Sequence, residues 1–111
     1  NNFEVTSGPV DISTSSVTAT SPHLSNGTDA STVTIKLSDA YENPVSGLTN
    51  INFSLQLTGN AIHGPVIEST TPGTYETSIT DDTAENVTVT VTVNGKTLIK
   101  KPTIIFGENK L

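Results

Sequence analysis

The chain has 111 residues, with five lysines and no arginine against eleven acidic residues, a net charge of −6, and no cysteine, methionine or tryptophan. That length suits one domain, the missing cysteines exclude a disulfide framework, a thiolate metal site and a thiol nucleophile, and the acidic balance argues against a nucleic-acid or anionic-membrane partner. No apolar run approaches the roughly 18 residues of a membrane span, and the opening residues lack the basic and apolar regions of a signal peptide, so direct membrane insertion is not expected.

The predicted elements are all strands. Val10, Ile12 and Val17 mark one or two near the start. Val33, Ile35 and Leu37 then alternate with Thr32, Thr34, Lys36 and Ser38, and Ile51, Phe53, Leu55 and Leu57 alternate with Asn52, Ser54 and Gln56. His63 to Glu68 is a shorter candidate, and Tyr75 and Ile79 share one face with Thr77 between them. The clearest run is Val87 to Val93, where four valines alternate with three threonines, a period of two that buries one face and wets the other. It enters Asn94-Gly95, which favours a type I′ turn because both central residues need positive φ. The return along Lys96 to Lys101 is interrupted by Pro102, which cannot donate to a ladder, and Thr103 to Phe106 resumes it.

Twenty threonines and twelve serines suit the exposed faces of such strands, because threonine is β-branched and stiff at χ1. Ser25-Asn26-Gly27, Glu42-Asn43-Pro44, Thr58-Gly59-Asn60, Thr71-Pro72-Gly73 and Asp81-Asp82 separate the runs as turn signals. About seven strands at roughly 10–15-residue spacing, with no helical stretch, give an all-β, immunoglobulin-like antiparallel β-sandwich. Without the Cys-Trp-Cys core of antibody domains, it is packed from Val, Ile, Leu, three Phe, Tyr75 and Tyr41.

Asn26 to Leu48 combines a Gly-containing turn, a Ser/Thr-rich strand and the turn Asp39-Ala40-Tyr41-Glu42-Asn43-Pro44-Val45. It resembles the signature of the bacterial immunoglobulin-like (Big-1 type) domains of the invasin/intimin adhesin family, the inverse autotransporters. Pro72 to Thr77, Val89 to Gly95 and Thr103 to Phe106 are similar to the family's second half. One departure is Glu42, which stands where the family usually has glycine. Either the turn is of another type, or Asn43 takes the left-handed position. The resemblance covers about Val10 to Phe106 and implies a domain over residues 10–107, with residues 1–9 as a linker or first-strand start and residues 108–111 as a linker. It further implies a stalk unit, held extracellularly at the bacterial cell surface by another part of the parent protein anchored in the outer membrane, presenting an adhesive tip away from that membrane, with neighbouring immunoglobulin-like domains as partners; the isolated domain is expected to be a monomer.

No catalytic or cofactor-binding residues are assigned, and no enzyme is expected. His23 and His63 read as loop histidines, and Gly-x-Ser-x-Gly does not occur. Hard cations want several converging oxygens. Asp81, Asp82 and Glu85 are the calcium candidates, with Asp29, Asp39 and Glu42 in two other turns. None has EF-hand spacing, and the simpler reading is carboxylates bonding nearby backbone in exposed turns. The sequons at Asn26, Asn52 and Asn86 occur about as often as chance gives. A Lys–Asn isopeptide crosslink needs a core-facing lysine, and Lys36 falls on the outward phase. Four lysines lie within Lys96 to Lys110 and ten acids between Glu4 and Glu85, which suggests a basic C-terminal end meeting an acidic N-terminal end of the next copy. The reading is therefore a non-catalytic spacer of a surface adhesin. The alternative is a domain that itself binds a host receptor or glycan, and the scarcity of Trp, Arg and Tyr disfavours it.

Overall fold

The computed structural model describes residues 10–107; the expected linkers at 1–9 and 108–111 lie outside them. Strands are β1 (Ser16–Ala19), β2 (His23–Leu24), β3 (Ser31–Lys36), β4 (Phe53–Leu57), β5 (Ile62–His63), β6 (Ile67–Glu68), β7 (Thr74–Thr80), β8 (Glu85–Val93), β9 (Lys96–Thr97) and β10 (Thr103–Gly107). They form two sheets. One has the order β1-β3-β7-β5 with β6 also on β7; the other runs β2-β10-β8-β4 with β9 also on β8. All pairings are antiparallel except β2 with β10, which is parallel.

The period-two pattern builds both layers. Val33 and Ile35 on β3, Tyr75 and Ile79 on β7, and Val87, Val89, Val91 and Val93 on β8 are fully buried. Ile104 and Phe106 of β10, the neighbour of β8 in the second sheet, join the same core. Each such side chain contributes about 2 kcal/mol by leaving water. On β8, Thr88, Thr90 and Thr92 occupy the alternate positions that face outward. Asn94 and Gly95 close the β8–β9 hairpin at φ 51° and 83°, both in the left-handed region that a type I′ turn demands.

The ten strands exceed the expected seven because prolines break two edges and the two-residue β2 is added beside β10. Pro65 interrupts the segment between β5 and β6, which pair with one side of β7 at separate places. Pro102 separates β9 from β10, and its carbonyl accepts the Val89 N–H at 2.9 Å. Four strands are only two residues long.

His23 and His63 lie on β2 and β5 rather than in loops, and three expectations about the core and its turns fail. Tyr41 is not in the core: it is 85% exposed on the turn after β3. Ile51 does not extend the β4 alternation: it sits in a single 3-10 turn, Asn50–Asn52, and is 89% exposed. Asn52 holds that turn, accepting the Thr49 N–H at 2.9 Å and donating to Asn94 Oδ1 at 3.0 Å. Third, Glu42 itself takes the left-handed conformation, at φ 67°. The neighbouring Asp39 explains why: its buried Oδ1 accepts the N–H groups of Tyr41 and Asn43, both at 2.9 Å. The turn keeps the shape a glycine would favour, with strain of about 1 kcal/mol at the non-glycine residue.

Tyr75 ties this region to the core. Its hydroxyl donates to the Val45 carbonyl at 2.8 Å and accepts the Leu48 N–H at 3.1 Å. Its ring lies 5.0 Å from that of Phe53.

Candidate functional site

The register fixes two ends. Glu85 at the start of β8 pairs with Phe106, and Val93 at its end pairs with Lys96 and Phe53. Gly107 therefore leaves at the Glu85 end, where its carbonyl accepts the backbone N–H and hydroxyl of Ser25, each at 2.8 Å. Val10 enters at the other end, where its carbonyl accepts Lys96 Nζ at 3.3 Å. Eight strand steps along β8 separate the ends by about 26 Å.

At the exit end three loops converge: 25–30, 58–61 and 81–84. Asp81 is buried as β7 ends, while Asp82 is exposed and Glu85 half-buried. Asp81 Oδ1 accepts the Thr83 N–H at 2.9 Å, and its main-chain carbonyl accepts the Gly27 N–H at 3.1 Å. Glu85 Oε2 accepts the Asn60 N–H at 2.8 Å. Burial, and then a hydrogen bond with Glu85, push the Asp81 carboxyl up from its ordinary range. The same bond with Asp81, and then the Asn60 N–H, hold Glu85 down. Of the calcium candidates, the structure thus joins Asp81 to Glu85 and leaves the Asp82 side chain outside. No three acidic or histidine side chains among the described residues are grouped to hold a metal ion.

A second cluster escaped the sequence reading. His23 Nδ1 lies 3.0 Å from Asp29 Oδ1, and its Nε2 lies 2.7 Å from Thr20 Oγ1. This is the hydroxyl–imidazole–carboxylate order of an acyl-transfer relay. The hydroxyl is already engaged, however: Thr20 Oγ1 accepts the Thr32 N–H at 3.0 Å. Asp29 Oδ2 accepts the Leu24 N–H at 2.6 Å; that bond, followed by the one to His23, lowers the Asp29 carboxyl. Stability from Asp29 is consequently present above its unfolded pKa and lost as pH falls through the folded one. The cluster fastens the short β2 to the loop that follows it. Thr20, His23 and Asp29 are three and six residues apart, but with no motif among them His23 reads as a loop histidine and Asp29 as a turn carboxylate.

The remaining surface is plain. A shallow groove of about 610 Å³ lies on the outer face of the first sheet, between Pro65, Ile67 and Glu68 on one side and Thr32, Glu76 and Ser78 on the other. It has no aromatic lining, and its two carboxylates have no converging cation. Lys36 is exposed, on the outward phase expected of it. The expected charge polarity does not appear among the described residues: Lys96 lies at the entry end beside Asp11, and both ends carry acids, with Asp39 at the entry and Asp29, Asp81, Asp82 and Glu85 at the exit. No helix among the described residues is long and apolar enough to cross a membrane, which says nothing of a β-barrel.

The described residues form a disulfide-free, two-layer immunoglobulin-like sandwich. The family model for invasin domain 3 matches residues 11–109, and the chain belongs to that family. The crystal structure of invasin, a bacterial integrin-binding protein, is similar with a TM-score of 0.80 and 28% identity over 92% of this chain and 20% of that one. The Escherichia coli adhesin FdeC gives 0.75 and 26% over 94% of this chain and 34% of that one. Yersinia pseudotuberculosis adhesin InvE gives 0.73 and 25% over 87% and 27%. The chain thus spans about a fifth to a third of these solved proteins. No curated protein matches it. The family is an adhesin family, non-enzymatic in kind.

Proposed function

We propose that this domain is a non-catalytic spacer in a bacterial cell-surface adhesin, joined to further immunoglobulin-like domains and holding an adhesive tip away from the cell. The observation that carries the reading is the placement of Val10 and Gly107 at opposite ends of the sandwich. A chain that enters at one pole and leaves at the other adds length to an array. The long solved relatives supply the context of a multidomain protein. The surface supports the same reading: the outward positions of β8 carry threonine and asparagine, and binding anchors of the Trp and Arg type are absent from the chain. Among the described residues, Tyr41 and Ile51 are the two most exposed large apolar side chains, both at the entry end; a preceding domain seated there would cover them.

The test is replacement within the parent adhesin. A foreign sandwich of equal length in place of residues 10–107 preserves cell adhesion if the domain is a spacer. Loss of adhesion with correct surface display, measured by antibody to the tip, supports the alternative that this domain itself contacts a receptor or glycan.

A further inference from the structure

We propose that Asp81 and Glu85 hold one proton between them and act as an acid-set latch on the exit end of the sandwich. Asp81 is 2% exposed, and its Oδ2 is buried with no N–H or O–H donor. A buried carboxylate oxygen left without a donor is costly. The carboxyl that acts on it is that of Glu85, which lies over the same loops. Two ionised carboxylates cannot hydrogen-bond each other, because each only accepts. With one proton, the Asp81 hydroxyl donates to Glu85, and the buried oxygen is satisfied.

The surroundings hold Glu85 in position. Its carboxyl lies across Gly59 so closely that a methyl group built there would overlap it. Asn60 donates its N–H to Glu85 and its side-chain amide to Thr83 Oγ1. Among the described residues, the charges acting on the pair are the two carboxyls themselves and Asp82, with no lysine or histidine contributing. With no third ligand grouped nearby among the described residues, the proton is the occupant.

The pair ties loop 58–61 to loop 81–84, and Asp81 carries the tie on to Gly27. Loop 25–30 in turn holds Gly107 through Ser25. Loss of the proton places two like charges in contact, one of them buried, and loosens the loops around the chain's exit. The signs follow from the two carboxyls. Asp81, raised in the folded state, contributes stability that is present below its unfolded pKa and lost as pH rises through the folded one. Glu85, lowered, contributes stability that is present above its unfolded pKa and lost as pH falls through the folded one. The pair is therefore most stabilising in the mildly acidic window between, where it holds one proton. This inference is independent of the spacer reading.

Thermal unfolding of the 111-residue chain from about pH 4 to about pH 8, with chelator and with added calcium, tests it. In wild type, Tm falls by about 4 °C from the acidic maximum to the upper limit. In Asp81→Asn the amide donates to Glu85 at every pH, so that fall disappears and the variant matches or exceeds wild type at the upper limit. Glu85→Gln, donating in the opposite direction, flattens the profile likewise and replaces the first variant if that one does not fold. Calcium changes none of these curves. A flat wild-type profile, variants that fall in parallel with wild type, or calcium that raises wild type alone would each overturn the proposal, the last by showing a cation where the proton is placed.

Discussion

Asp39 and Asp81 are the same residue type, buried to nearly the same degree, 3% and 2% exposed, at opposite ends of one sandwich. Asp39 faces backbone donors: the N–H groups of Tyr41 and Asn43 on Oδ1, and the Asn43 side-chain amide on Oδ2 at 3.2 Å. Asp81 has one N–H on Oδ1 and a second carboxyl beside Oδ2. Burial alone therefore does not decide what a buried carboxylate does. Donors turn one aspartate into a fixed staple of the entry turn, whereas an acceptor makes the other depend on a proton. The two ends of the domain are consequently built for different things, one for shape and one for response.

The largest expected effect breaks the staple. Asp39→Ala orphans two backbone N–H groups and lowers stability by about 3 kcal/mol, read from urea unfolding. The loss is similar at neutral and mildly acidic pH, in contrast to the Asp81 variant. Next comes Tyr75→Phe, which removes the donor to Val45 and the acceptor for Leu48 while keeping the ring against Phe53. It costs about 1.5 kcal/mol by the same measurement, with proton exchange of the Leu48 amide speeding up ahead of the β8 amides. The smallest effect has the opposite sign. Glu42→Gly relieves the left-handed strain at φ 67° but adds freedom to the unfolded chain, for a net gain of about 0.5 kcal/mol. A loss there would mean that the Glu42 side chain contributes something the turn geometry does not reveal.

The same contrast explains what could be read before any coordinates. The centre of the fold was visible because β8 alternates strictly and its turn chemistry is local: Val87 to Val93 and Asn94-Gly95 need no distant partner to be understood. Ile51 misled because its spacing continues the β4 alternation, yet Asn52 bends the chain one residue before the strand begins. Tyr41 misled because an aromatic in a chain with few of them looks like core, although Asp39 holds it in an exposed turn. Val45, Val66 and Leu98 are buried from loops and have no periodic neighbours to announce them. The pairing of Asp81 with Glu85 was visible only as proximity in sequence. Which acids would meet, and that Asp82 would face away, depended on loop 58–61 closing over Glu85.

Direct binding of the isolated 111-residue chain to host cells is the sharpest test of the domain's role. As a spacer it shows no saturable binding to host cells at concentrations where the complete parent protein binds them. Saturable binding by the isolated chain, competed by the complete adhesin, would contradict the account and make this domain a reader in its own right.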